Sequence, residues 1–430
     1  MLPSPADQST VIRATDAEMG GMEFINFPSD SIFLESICLN ASYAPGVGYV
    51  PAQRVVNGKK ESHIYKIKPG MKDAEHVCGP LALPSGKSTD VTIFGSHLTS
   101  NGILYLCVYN HNMVMDLDLK KIEAEGIKGQ VAGNLAIPVS APNDMAVDPK
   151  DENIIYVAGG TFTNSILCTK TSNSAYGQVY KATINKARTD FEVHTITKKL
   201  DVLAGVEVMG EKVIIAQLYN MVTLDKNGKS DKATVIWDGT DENDQVWLAD
   251  NIDLFGKDKF ICPAYSTVPK AAVNLVLKRN FISSLGFQFL QLSSRRMDDE
   301  SAKRSLWDPE VSLKTSYTYW DEKKDPNQES AKPLRILIAK PDGSEPKHFI
   351  IDMKETRKNY EPWTVYEKEY DPTKVLGKRF YFDEQVTHAS QLVAENGQGF
   401  VVLINFQQPR IALLKDDKFK DAFVSNAVVQ

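Results

Sequence analysis

Short apolar segments, most of them bounded by turn residues, recur along the whole chain. They are rich in β-branched and aromatic residues and cover residues 63–67, 103–110, 153–159, 212–218, 259–265, 334–339 and 399–406. Turn sequences such as Ser100-Asn101-Gly102 and Glu395-Asn396-Gly397 separate these segments from their neighbours. Many short strands with regular turns predict an all-β fold, which would be a sandwich, a barrel or a propeller.

A repeated unit favours the propeller. Five segments share one pattern: a polar or small pair, a short apolar strand, a tight turn and a more apolar strand. The first four begin near residues 96, 142, 203 and 249, at spacings of 46, 61 and 46, and the fifth begins near 387. A four-stranded blade takes roughly 40–50 residues. With a sixth unit near Glu35, the sequence predicts one six-bladed β-propeller over residues 1–430.

The stretch between the fourth and fifth units is too long for two blades, which predicts an insertion at 276–332. The first part of this segment is apolar, and its end is charged and contains proline. Two interpretations remain open. The segment is either a surface loop between strands or a flap over one mouth of the propeller that shapes a substrate pocket.

Composition excludes several classes of protein. The net charge is −6 and no basic stripe is present, which argues against nucleic-acid binding. The sequence contains no run of 18 apolar residues, so it predicts no membrane-spanning helix. The segment MLPSPADQST at the N-terminus lacks the basic and apolar regions of a signal peptide. A cytosolic protein and a secreted protein whose signal has been removed both remain open, with secretion slightly favoured.

The five cysteines are widely spread and form no CxxC pair, which argues against a zinc site. Cys38, Cys107 and Cys262 lie in apolar segments and are predicted to be small core residues. The spacing of the cysteines demands no disulfide bond.

Hard oxygen donors recur at the predicted starts of the innermost strands. In a propeller these strands run along the central channel, so residues at their starts converge on the axis. The residues at these starts are Glu35, Asn143, Asp144, Asp201, Asp250 and Asn251. Each alone could be a turn former, but their recurrence in successive units favours a calcium site, which takes six to eight oxygen ligands.

Three segments resemble the superfamily of six-bladed propellers that contains gluconolactonase, strictosidine synthase and paraoxonase. They are PNDMAVDPKDENIIYVAGG (142–160), LADNIDL (248–254) and THASQLVAENGQGFVVLINFQQPRIALLK (387–415). The resemblance implies calcium ligands at Glu35, Asn143, Asp250 and Asn251. The third family segment reads Asn-Gly, whereas this chain has Ala204-Gly205. Because alanine cannot coordinate a metal, water or Asp201 would complete the shell, or the affinity would be reduced or lost.

The segment GSHLTSNGILYLCVYNHN (95–112) resembles a segment of the paraoxonase branch that carries two histidines. The resemblance implies that His97 and His111 form a dyad that deprotonates water. His388, in the final blade, is a third candidate that would face the axis. The alternative is that His97 caps a strand and His111 lies in a surface turn.

These patterns together lead us to expect a calcium-dependent hydrolase of a small lactone or ester, with a small-molecule substrate. No GxSxG or HExxH motif supports a serine hydrolase or a zinc protease. Two alternatives remain open. One is a non-hydrolytic enzyme of the strictosidine-synthase type, in which a carboxylate carries the chemistry. The other is a binding propeller without catalysis.

Overall fold

Six blade-like sheets surround a central axis, and the six-bladed β-propeller predicted from the repeat is confirmed. The computed structural model describes residues 11–15, 22–34, 36–159, 177–200, 203–217, 220–227, 233–237, 239, 245–269, 334–352, 363–366, 375–378, 386–405 and 409–414. The statements below apply to these residues.

Blades one and two are built from the first part of the chain. Two strands precede them: β1 (Val11–Thr15) and β2 (Met22–Asn26). Blade one contains β3 (Ser31–Leu34), β4 (Cys38–Leu39), β5 (Gly48–Val56), β6 (Lys59–Ile67) and β7 (Glu75–Cys78). A short strand, β8 (Leu81–Ala82), follows. Next come β9 (Ile93–Leu98), β10 (Ile103–Val108), β11 (Met113–Asp118), helix α1 (Leu119–Glu125), β12 (Val131–Ala132) and β13 (Ile137–Pro138). Blade two consists of β9, β10, β11 and β13, while β12 pairs with β8.

Blades three and four are regular four-stranded meanders. Blade three contains β14 (Asp144–Asp148), β15 (Asp151–Gly159), β16 (Gly177–Ile184) and β17 (Phe191–Leu200). Blade four contains β18 (Leu203–Met209), β19 (Lys212–Gln217), β20 (Asn220–Asp225) and β21 (Thr234–Trp237).

Blade five has a divided inner strand, because two short strands pair with successive parts of one long strand. It contains β22 (Gln245–Ala249), β23 (Asp253–Phe255), β24 (Lys259–Pro269), β25 (Leu334–Ala339) and β26 (Lys347–Asp352). A separate hairpin consists of β27 (Trp363–Tyr366) and β28 (Val375–Lys378). Blade six contains β29 (Val386–Val393), β30 (Gly399–Asn405) and β31 (Arg410–Leu414). The predicted insertion at 276–332 lies outside the described residues, between the paired strands β24 and β25.

The N-terminal strands complete the last two blades. Strand β2 pairs antiparallel with β31, with Phe24 opposite Ala412, and is the fourth strand of blade six. Strand β1 pairs in parallel with β26 and extends blade five. The ring is therefore closed by pairing between residues from opposite ends of the sequence.

The hydrophobic core lies between adjacent blades, as strand β10 illustrates. Leu104 and Leu106 face an apolar cluster shared with blade one. Tyr105 and Cys107 face a second cluster, shared with blade three. Since successive side chains of a strand point to opposite faces, a blade packed on both faces has apolar residues at every position. All six residues of β10 are buried, which explains its continuous apolar sequence.

Other features follow the sequence predictions where the structure describes them. Cys38, Cys107 and Cys262 are buried as predicted, and each is at most 2% exposed. Together with buried Cys78 they are free thiols, while Cys168 lies outside the described part. No helix among the described residues is long and apolar enough to cross a membrane.

A buried ion pair joins blades three and four. The Lys226 ammonium lies 2.9 Å from the carboxylate of Asp148, and both residues are almost fully buried. Glu211, which is half-exposed, lies 3.6 Å from the same ammonium. The interface therefore holds a charge pair largely shielded from solvent.

Candidate functional site

Around the axis, the inner strands of neighbouring blades are in contact through their backbone atoms. Gly95 on β9 lies against Asp144 on β14, and Gly205 on β18 lies against Asn251 and Ile252 of blade five. Both glycines allow contacts that a side chain would block, since a Cβ atom at either position would lie 2.6 Å from a neighbouring backbone atom. Side chains close to these positions therefore gather around a narrow channel.

Asp144 is a buried carboxyl group at the start of β14. Its Oδ2 accepts a hydrogen bond of 2.9 Å from the backbone N–H of Val206, which links blade three to blade four. Burial raises the pKa of Asp144 to about 7, and the charge of Asp253 raises it further, while the Val206 N–H and His388 oppose the shift. At neutral pH this carboxyl group can therefore be protonated or ionised, and a nearby positive charge would favour the ionised form.

Asn143 joins the same two blades through its amide. Its Nδ2 donates hydrogen bonds of 3.0 Å and 2.9 Å to the backbone oxygens of Leu203 and Ala204. These two bonds occupy the donor and leave Oδ1 as the side-chain acceptor. Ala204 contributes its carbonyl to this contact, and its side chain belongs to the apolar cluster between blades four and five.

Asp250 and Asn251 lie where the inner strand of blade five is divided between β22 and β23. Both are buried, and the Asn251 N–H donates to the Thr387 carbonyl oxygen of blade six at 3.1 Å. The Nδ2 atom of Asn251 has no hydrogen-bond partner among the described residues. A buried amide without a partner costs free energy, so this side chain is suited to meeting a ligand.

Two further carboxyl groups, Glu207 and Asp253, lie on inner strands, and the sequence prediction did not include them. Glu207 on β18 is 2% exposed, and its Oε1 accepts a hydrogen bond from the backbone N–H of Val208. Burial, followed by the charges of Asp253 and Asp144, raises its pKa well above the usual range. Glu207, Asp253 and Asp144 thus form a cluster of acidic groups drawn from blades four, five and three.

His388 and Ser390 extend this cluster from blade six. The Nε2 atom of His388 lies 3.1 Å from Ser390 Oγ and 3.8 Å from Asp253 Oδ2. Ser390 Oγ in turn donates a hydrogen bond to Asp253 Oδ2. Of the three candidate histidines, His388 is therefore the one that directly contacts the acidic cluster.

His97 and His111 are not brought together, contrary to the predicted dyad. Strand β9 begins at Ile93, so His97 is its fifth residue and pairs with Tyr105 near the hairpin turn. His111 lies in the 3-10 turn Tyr109–His111 at the opposite end of β10. Its Nε2 atom is 2.7 Å from the backbone carbonyl oxygen of Asp90. About four residues of strand, roughly 13 Å, separate these two levels.

His97 keeps a place near the axis. It is half-buried, and burial lowers its pKa, while Asp253 and Glu152 act in the opposite direction. Because the charge of Asp253 affects the pKa of His97, the two side chains lie close enough for their charges to interact.

The donors present are hard oxygen atoms, the type that calcium prefers. No three Asp, Glu, His or Cys side chains in the described part of the chain are already grouped closely enough to hold a metal ion. A calcium site would thus combine carboxylates with the amides of Asn143 and Asn251. Two predicted ligands, Glu35 and Asp201, lie outside the described residues.

A sequence signal for the overlooked residues exists. Glu207 interrupts the apolar strand LAGVEVM, and Ser390 lies in the run VTHASQLV. A lone acidic residue inside an apolar strand is unusual, because burial penalises its charge. Such a residue marks either a paired charge or a functional position.

Comparison with known proteins adds little. The chain matches no protein-family model and no curated protein. It is similar to a crystal structure of the extracellular domain of a proposed hybrid two-component system from B. thetaiotaomicron, at 6% identity and a TM-score of 0.39. The match covers 91% of this chain and 39% of that one, so the chain spans well under half the length of that structure. The six-bladed fold rests on the strand pairing described above.

Proposed function

We propose that oxygen donors around the axis bind a calcium ion and that the protein hydrolyses a small lactone or ester. One observation carries the proposal: the buried carboxyl groups of Asp144 and Glu207 and the partly buried carboxyl group of Asp253 lie on inner strands of three different blades. No lysine or arginine in the described part of the chain is among the charges that shift the pKa of Asp144 or Glu207. Buried carboxylates require a compensating positive charge or a proton.

The donor set supports calcium over softer metals. Asn143, Asp144, Asp250 and Asn251 would hold the ion, with water or residues beyond the described part completing the shell. The hydrogen bonds to blade four use Asn143 Nδ2 and Asp144 Oδ2. They do not involve Asn143 Oδ1 and Asp144 Oδ1, which are therefore the candidate metal-binding atoms of these two residues. A calcium ion here would polarise the substrate carbonyl and stabilise negative charge on its oxygen.

The side chains of the protein supply the remaining functions. His388 is the candidate to accept a proton from the attacking water, because it lies within the acidic cluster. Asp144, Glu207 and His388 are almost fully shielded from solvent, which strengthens the electrostatic interactions they make. His97, near Asp253, would contribute a second polar side chain to the channel wall.

One observation favours the strictosidine-synthase type of chemistry instead. Glu207 is a deeply buried carboxyl group with a strongly raised pKa, as expected for a carboxyl group that exchanges protons with a substrate. In that case Glu207 would be essential and calcium would not. The two functions therefore differ in their dependence on metal.

Three measurements on the purified protein test the proposal: metal content, thermal unfolding with calcium or EGTA, and turnover of a panel of lactones and aryl esters. We expect bound calcium, a lower melting temperature in EGTA and turnover that stops in EGTA. Asn251→Ala should abolish the calcium effect. Asn396→Ala, in the exposed turn between β29 and β30, is the matched control and should leave it intact.

The alternatives give different results. Activity that persists in EGTA but is lost in Glu207→Gln would support the carboxylate mechanism. Insensitivity to both calcium and EGTA, with no turnover on the panel, would contradict the hydrolase and leave the binding propeller.

A further inference from the structure

Ser390 connects His388 to Asp253 across the boundary between blades six and five. His388 and Ser390 are two residues apart on β29, so their side chains share one face of the strand. Asp253 reaches the same point from β23. All three groups meet at one atom, because the Ser390 oxygen contacts both His388 Nε2, at 3.1 Å, and Asp253 Oδ2.

The directions of these hydrogen bonds determine where the histidine proton lies. A serine hydroxyl has one hydrogen, and an ionised carboxylate can only accept. Ser390 therefore donates to Asp253, and its oxygen must accept from His388. A neutral imidazole that donates through Nε2 carries its lone pair on Nδ1.

That Nδ1 atom is buried and has no hydrogen-bond partner among the described residues, in a side chain that is 4% exposed. A buried acceptor without a donor is unfavourable, because it has given up its hydrogen bonds to water. A water molecule or a substrate hydroxyl could donate a hydrogen bond to this Nδ1 atom.

The imidazole also lies on the axial side of blade six. His388 lies on β29, which ends the blade-six sheet on the side away from β2 and is the innermost strand of that blade. The imidazole is therefore positioned to meet a molecule held in the channel.

We infer that Ser390 and Asp253 are positioning residues that fix His388 in the Nε2–H tautomer and leave Nδ1 as the acceptor for a water proton. The role of this water rests on the proposed hydrolase function, whereas the tautomer does not. The relay replaces the His97–His111 dyad as the source of the base.

The resulting step is balanced. The water oxygen forms a bond to the substrate carbonyl carbon, and its proton passes to Nδ1. The carbonyl π electrons move to the carbonyl oxygen and then return as the bond to the leaving oxygen breaks. Nδ1–H gives its proton to that oxygen, which releases an acid and an alcohol, or one hydroxy acid from a lactone. Ser390 keeps its hydrogen throughout, and Asp253 stabilises the transient imidazolium.

Nitrogen NMR tests the tautomer without any assay of activity. Histidine is labelled with ¹⁵N in the full chain, long-range proton–nitrogen correlations are recorded, and the His388 signals are assigned from their loss in His388→Gln. We expect the Nε2–H pattern in the wild type and its replacement by a mixture in Ser390→Ala. Thr387→Val, which removes the neighbouring buried hydroxyl, is the control and should keep the wild-type pattern.

The tautomer is determined from the wild-type spectrum, and His388→Gln serves only to assign its signals. An Nδ1–H pattern, or a mixture of tautomers in the wild type, would overturn the inference. Where a hydrolysed substrate is found, His388→Gln should lower kcat about a hundredfold. Ser390→Ala should lower kcat about tenfold with KM unchanged. An Nε2–H pattern without any turnover would contradict the proposed function and support the relay.

Discussion

Gly95 lies so close to Asp144 that a Cβ atom on Gly95 would be 2.6 Å from the Asp144 Cα and 2.8 Å from the Asn143 carbonyl oxygen. Both neighbours are backbone atoms, which cannot rotate away. Gly95→Ala should therefore separate blades two and three at the axis and lower the free energy of unfolding by about 1–3 kcal/mol. Denaturant unfolding measures this cost.

The matched control is Gly129→Ala. A Cβ atom at Gly129 would have no atom within 4 Å. Its stability should remain within about 0.5 kcal/mol of the wild type. Equal stability of the two variants would mean that the blades do not approach as closely as described.

Asn143 allows the calcium site to be tested through a charge change. Asn143→Ala removes two hydrogen bonds to backbone oxygens, each worth about 0.5–1.5 kcal/mol. Asn143→Asp should be less stable still in EGTA, since a carboxylate would face two carbonyl oxygens. Calcium should reverse this order, because aspartate is a stronger ligand than asparagine. Melting temperatures that rank the same with and without calcium would contradict the proposed site.

The ion pair between Lys226 and Asp148 should be costly to break from one side. Lys226→Met leaves a buried carboxylate without its partner and should lower the free energy of unfolding by about 3–5 kcal/mol. Adding Asp148→Asn should restore most of this loss, because the uncompensated charge is then removed. Denaturant midpoints of the two variants test the prediction, and a double variant no more stable than Lys226→Met would refute it.

His63 should make the protein sensitive to acid. Its Nδ1 lies 3.1 Å from His76 Nε2, and burial, together with the charges of Arg54 and His76, lowers its pKa to about 4. The unfolded chain therefore binds a proton more readily, near pH 6.5. The stability contributed by the neutral ring is present above about pH 6.5 and is lost as the pH falls towards 4. The full loss is about 3 kcal/mol.

Unfolding measured between pH 7.5 and pH 4.5 should show a smaller decrease for His63→Gln than for the wild type. The control is His194→Gln, since the His194 side chain is 68% exposed. This variant should follow the wild-type profile. Parallel profiles for His63→Gln and the wild type would rule out His63 as the source.

The fold could be predicted because each blade repeats the same local pattern. The two-sided burial of strands such as β10 makes them continuous apolar runs, which stand out between polar turns. The strand predicted over 103–110 is observed as Ile103–Val108, and that predicted over 334–339 as Leu334–Ala339. These features are local, so the sequence reveals them directly.

The candidate site was harder to predict because its geometry depends on the register between blades. Asn143 and Asn251 could be found, since they precede inner strands. Glu207 and Ser390 lie inside strands, and only the stagger of neighbouring blades brings them to the axis. The position of His97 was predicted wrongly because Ile93, Phe94 and Gly95 extend its strand by three positions towards the N-terminus. A shift of that size moves a side chain to another level of the channel.

The pairing of β2 with β31 also fixes an order of events during protein synthesis. Residues Met22–Asn26 leave the ribosome long before their partner, Arg410–Leu414, is made, because the strands of the other blades lie between them in the sequence. Strand β2 therefore has no partner strand while the intervening blades are translated. An unpaired edge can recruit other chains. The nascent protein should therefore need protection until the ring can close, even though each earlier blade is built from neighbouring residues.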